Sequence, residues 1–173
     1  MASTFKICVV HGLIPGTQYD WPIDGGIFHT ADSTPSSLSQ ATPIPVPTDG
    51  SYRYSYRKNV FVLWTAPPDG SIRNLRFWTG PETVDQGTAM FGKPSQDYLQ
   101  AGSQDVTTPV ADTVDVVTYT ETTPLTLTPG LVLSSGQTGR GTQPYMVLQM
   151  RLNNTASHGQ SAERTMTWTW DET

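Results

Sequence analysis

The chain has 173 residues, a formal net charge of −5, and 14% charged against 36% hydrophobic residues. That length fits one domain with its own core, and the charge fraction lies well below the roughly 25% usual in globular chains. With acidic balance and scattered basic residues, the chain lacks the basic stripe that neutralises phosphates in nucleic-acid binders.

Thr, Ser, Gly, Pro and Gln fill the space that charge leaves, and β-branched Thr favours extended backbone over helix. The run Phe5-Lys6-Ile7-Cys8-Val9-Val10-His11 reads as a first strand, apolar on both faces, ended by Pro15-Gly16. Residues 13–50 then hold six prolines and a Ser/Thr-rich middle. Proline lacks a ladder donor, so regular sheet is disfavoured there, and an extended arm or long loop is expected, pinned by Trp21, Ile27 and Phe28. Long connections of this kind often serve binding or assembly.

From Ser51 the pattern alternates strictly, with Tyr52, Tyr54 and Tyr56 on one face and Arg53, Ser55 and Arg57 on the other. Val60–Trp64 follows as a more buried strand, Pro67-Pro68-Asp69-Gly70 as a turn, and Ile72–Trp78 as a bulged strand. Residues 85–105 read as polar and irregular around Met90-Phe91-Gly92. Thr113–Thr120 alternates again. Leu125–Thr128 and Leu131–Leu133 read as two strands around a Pro129-Gly130 turn, and 134–142 as a Gly/Ser/Thr loop.

Two clear strands close the sequence. Met146, Leu148, Met150 and Leu152 share one face of Tyr145–Leu152, and Met166, Trp168 and Trp170 share one face of Arg164–Asp171. These two are expected to pair as an antiparallel hairpin. Seven to nine strands with Gly/Pro turns and no amphipathic helix predict one all-β domain over residues 1–173. Its expected form is an antiparallel β-sandwich, jelly-roll or immunoglobulin-like.

No catalytic or cofactor motif is present, neither a nucleophile elbow, a phosphate loop nor a dinucleotide fingerprint. His11, His29 and His158 lie far apart without metal-ligand spacing. His29 near Asp24 and Asp32 reads as a loop histidine beside solvated carboxylates. Asp20 and Asp24, or Asp112 and Asp115, could pair as carboxylates, and a glycosidase would need such a pair set across a sugar-binding cleft. Cys8, the single cysteine, reads as a small core residue. Asn153-Asn154-Thr155 fits a glycosylation sequon by chance. No enzyme activity, cofactor or metal is therefore expected.

Arg53, Arg57 and Lys58 form the one local basic cluster and are expected to solvate a strand face. The tyrosine stripe is expected to point inward or toward a neighbouring subunit, because Tyr and Arg are both enriched at interfaces. The interface candidates are Trp21, Phe28, Tyr52, Arg53, Tyr54, Tyr56 and Arg57. The five tryptophans with the tyrosine stripe also suit stacking on sugar rings, while Trp168 and Trp170 read as core.

Three segments resemble the ending of small structural proteins of tailed bacteriophages. They are Gln143-Pro144-Tyr145-Met146-Val147-Leu148-Gln149-Met150, Asn154-Thr155-Ala156-Ser157-His158-Gly159, and Thr165-Met166-Thr167-Trp168-Thr169-Trp170-Asp171-Glu172. Ser55-Tyr56-Arg57-Lys58 and Ile72-Arg73-Asn74-Leu75-Arg76 are similar too. The resemblance implies a virion component: a head decoration (cement) protein, or a tail or baseplate part. It brings no catalytic residues. The partners it implies are copies of the chain itself, trimers being plausible, and other virion proteins such as the major capsid protein. Met1-Ala2-Ser3-Thr4-Phe5-Lys6 lacks the regions of a secretory signal, and no stretch nears the roughly 18 apolar residues of a membrane span. A soluble protein made in the host cytoplasm, without a membrane partner, is expected. A carbohydrate- or receptor-binding module is the alternative function.

Overall fold

The computed structural model describes residues 4–21, 26–33, 35, 40–80, 85–157 and 164–173. It is all-β. Among these residues ten strands run β1 Phe5–His11, β2 Thr17–Asp20, β3 Arg53–Tyr54, β4 Lys58–Trp64, β5 Ile72–Trp78, β6 Thr88–Ser95, β7 Val114–Asp115, β8 Leu125–Leu133, β9 Tyr145–Leu152 and β10 Thr167–Glu172. Every pairing is antiparallel. The larger sheet has the order β2-β1-β4-β9-β6-β7, with β3 also on β9, and the smaller has β10-β5-β8.

Period-two alternation explains how the sheets meet. Val60, Val62 and Trp64 of β4, Val9 of β1, Met90 of β6, and Met146 and Leu148 of β9 enter one core cluster. Ile72, Leu75 and Phe77 of β5, and Leu127, Val132 and Leu133 of β8, enter the same cluster from the smaller sheet. Trp168 and Trp170 of β10 pack against it. The alternate residues of the large sheet, Cys8, Val10 and Phe61, form a second cluster under Tyr98 and Tyr145. Cys8 is thus a buried core residue.

Besides β2, which forms on β1 inside the 13–50 segment where regular sheet is disfavoured, four strand expectations need correction. Residues 85–105 are not wholly irregular, because β6 pairs with β9 along its full length. Gly92 hid it. A Cβ there would sit 2.5 Å from Met146 Cε and 2.9 Å from Leu148 Cδ2, so the strand can lie this close only without a side chain. Second, β8 is one strand. Pro129-Gly130 makes an irregularity rather than a turn, with Gly130 at φ 84° and its N–H donating to Asn74 Oδ1 at 2.9 Å. Third, Thr113–Thr120 shrinks to two strand residues followed by a 3-10 turn over Val116–Thr118. Asp115 starts that turn by accepting from Val117 N at 3.1 Å.

Finally, β9 and β10 form no hairpin. β10 pairs with β5 and lies in the other sheet. Their apolar faces share one core from opposite sides, which satisfies burial as well as adjacency would.

Side-chain amides complete the large sheet where its ladder breaks. In the β4–β9 register Lys58 opposes Leu148 and Val60 opposes Met146, so Val62 would fall opposite Pro144, which has no N–H. The Gln143 side chain takes over that place. Its Oε1 accepts from Val62 N at 3.0 Å and its Nε2 donates to Val62 O at 2.6 Å. On the other face of β9, Gln149 accepts from Val110 N at 3.0 Å and donates to Ser55 O at 3.0 Å.

Candidate functional site

The tyrosine stripe does not form one face. Only Arg53–Tyr54 is strand, paired with Leu152 and Arg151 of β9, so alternation fails on both sides of it. Tyr54 is buried, Tyr52 is 44% exposed and Tyr56 is half-buried. The Arg151 guanidinium lies between the Tyr52 ring (4.5 Å) and the Phe91 ring (4.7 Å), a cation held over two aromatic faces. Arg53 Nη1 donates to Ser51 Oγ at 2.9 Å and Tyr52 O at 3.0 Å. Trp21 and Phe28 are half-buried and pack against the main core, and Phe28 also reaches Met150, Leu152 and Ala156.

The basic cluster is not a solvated face either. Arg57 pairs with Asp105, whose side chain is fully buried. The carboxylate accepts from Arg57 N at 3.0 Å, from Nε at 2.9 and 3.1 Å, and from Nη2, the forked geometry that suits guanidinium to carboxylate. Asp105 sits in the 3-10 turn Ser103–Val106, far from Arg57 in sequence and surrounded by no pattern that announces it.

Lys58 is only 3% exposed. Its Nζ donates to Ser33 O at 2.5 Å and lies 2.9 Å from His29 Nε2. His29 Nε2 is also 3.0 Å from Ser33 O, and its Nδ1 finds no partner. Burial pushes the Lys58 amine down to about 8, the Asp32 charge acting against the shift. Burial first, then the Lys58 charge, lowers His29, and burial lowers His11. His29 is indeed in a loop, but it is buried against Lys58 of β4 rather than set beside solvated carboxylates. Asp32 accepts from Gly12 N at 2.8 Å. Asp24 and His158 lie outside the described residues. Together these bonds fasten residues 29–33 to β4 and the β1–β2 turn. The buried amine acts as a brace, since a nucleophile needs access that the cover denies. One sequence signal pointed to it: Lys58 opens an apolar strand, where a charged residue is rarely buried without partners.

The most exposed apolar residues lie elsewhere. Leu13 and Ile14, 81% and 71% exposed, form the β1–β2 tip between Gly12 and Gly16, both at positive φ. Tyr98 O–H donates to Gly12 O at 2.7 Å and holds this turn, and burial pushes the Tyr98 hydroxyl up to about 12. Beside the tip runs β2, exposed throughout, with Tyr19 stacked on His11 at 4.0 Å. The sequence placed Leu13 and Ile14 at the start of the 13–50 arm, but its interface candidates did not include them, because only the tight turn between Gly12 and Gly16 turns both side chains to solvent.

Among the described residues no three His, Cys, Asp or Glu side chains group as metal ligands, and no helix is long and apolar enough to cross a membrane. No family model matches the chain, and neither the curated proteins nor the solved structures yield a match.

Proposed function

We propose that this chain is a non-enzymatic structural protein of a tailed-phage virion, a capsid decoration (cement) protein or else a tail or baseplate component. It acts by binding copies of itself and other virion proteins such as the major capsid protein. The observation that carries this reading is the apolar Leu13-Ile14 tip standing beside an open edge strand, a surface suited to docking on a neighbour. The resemblance of residues 143–150 and 165–172 to phage structural proteins supports it. So does a body braced by buried polar ties, which suits a part that must hold its shape in a lattice. In this reading the two sheets form a jelly-roll or immunoglobulin-like sandwich, and residues 13–50 are the assembly arm. The test is mass spectrometry of density-banded virus particles from cells that make this chain. Stoichiometric amounts in the head or tail fraction support the reading, and absence from both refutes it.

The outer face of the smaller sheet favours glycan or receptor binding as a second reading. Trp78 opposes Thr167 there, and Arg76 lies between Thr169 and Thr126. Sugar-dependent quenching of tryptophan fluorescence, lost in Trp78→Ala, is its test.

A further inference from the structure

We propose that the chain self-associates through β2, which pairs antiparallel with β2 of a second copy about a two-fold axis at Tyr19. This inference rests on the assembling role above and names the surface used. β2 ends the large sheet, with β1 its only neighbour strand among the described residues. Trp21 N donates to Ile7 O at 2.8 Å, and the β1–β2 register places Val9 opposite Tyr19 and His11 opposite Thr17. Antiparallel ladders alternate, so Tyr19 and Thr17 spend their backbone groups on β1 while Gln18 and Asp20 point theirs outward. Among the described residues nothing accepts from or donates to those outward groups.

One register uses them all. With Tyr19 on the axis, Gln18 meets Asp20 of the second copy and Asp20 meets Gln18, giving four backbone bonds. An axis at Asp20 would oppose two carboxylates, which is destabilising. An axis at Gln18 would set Asp20 against Gly16, whose N–H already closes the turn to Leu13 O at 2.6 Å. In the favoured register each Gln18 amide donor flanks a carboxylate. The Asp20 charge is already met by Lys6 of its own copy at 2.6 Å. The two Tyr19 rings, each 41% exposed, become a cross-strand aromatic pair. β2 carries no proline or bulge to protect its edge.

The test uses the full chain. Sedimentation equilibrium should show a reversible dimer, or a larger species built from it. Gln18→Pro removes an outward donor while sparing the ladder to β1, and should weaken association about tenfold or more. Gln18→Ala keeps the donor and should retain association. Tyr19 lies in a non-hydrogen-bonded pair with Cα atoms about 4.5 Å apart, within disulfide reach. Tyr19→Cys should therefore oxidise to a covalent dimer, with Cys8 buried out of the way. Val114→Cys, on the opposite edge of the sheet, should stay uncrosslinked. A chain that remains monomeric, or Tyr19→Cys crosslinking no faster than Val114→Cys, overturns the proposal even if Gln18→Pro misfolds. An oligomer untouched by both variants also overturns it, and particle composition tests the virion role separately.

Discussion

Replacing Asp105 by alanine should destabilise this protein more than most single surface changes. The Asp105 carboxylate is wholly removed from water and the Arg57 side chain is 17% exposed. The substitution deletes every acceptor of the Arg57 fork and strands the Arg57 N–H in the body of the protein. Breaking a buried pair by removing one partner typically costs about 3–5 kcal/mol. Because the guanidinium can turn partly to water, the lower end, about 3 kcal/mol, is expected. Urea unfolding followed by tryptophan fluorescence measures it, with the slope checked for two-state behaviour. Arg57→Met combined with Asp105→Leu should recover part of the loss, since the stranded charge then disappears with its partner. A loss below about 1 kcal/mol for Asp105→Ala, or no recovery in the double variant, would refute the reasoning that a desolvated charge is at stake.

Three further outcomes are expected. His29 titrates below its ordinary value in the folded state, so the unfolded chain binds the proton more readily. Stability should be full above about pH 6.5 and fall as pH drops below it, and the urea midpoint between pH 7.5 and 5 should fall less in His29→Gln. Lys58 runs from an unfolded value of 10.5 to about 8, and its unfolded form holds the extra proton between. Stability should therefore rise from pH 8 toward 10 by up to about 3 kcal/mol, a rise absent from Lys58→Met. Gln143→Ala orphans both backbone groups of Val62 and should cost about 2–3 kcal/mol in urea unfolding, whereas Gln137→Ala in the neighbouring exposed loop should change little.

Much of the fold was legible in the sequence because period-two alternation is a local property. β1, β5 and β9 coincide with the runs Phe5–His11, Ile72–Trp78 and Tyr145–Leu152, each written in β-branched, aromatic or aliphatic residues. All-β character followed from composition together with the alternating strand pattern and its Gly/Pro turns. β6 was hidden because Gly92 and Pro94 carry the usual marks of a loop. Their meaning depends on Met146 and Leu148, which press on Gly92 from another strand, and no local pattern encodes that. The candidate site was legible only in its residue types: Arg57, Lys58 and His29 were visible, but not their partners.

By itself, then, the sequence determined β1, β5 and β9 and which residues of β9 share a face, since both are set by neighbours one or two positions away. Tertiary structure decided which strands meet and which charges are buried. Asp105 reaches Arg57 and Gln143 reaches Val62 across separations of 48 and 81 residues. Pairings of that kind arise from whole-chain packing, in which burying one core fixes the rest, and the same packing leaves β2 at the sheet edge, its outward backbone groups without a partner among the described residues.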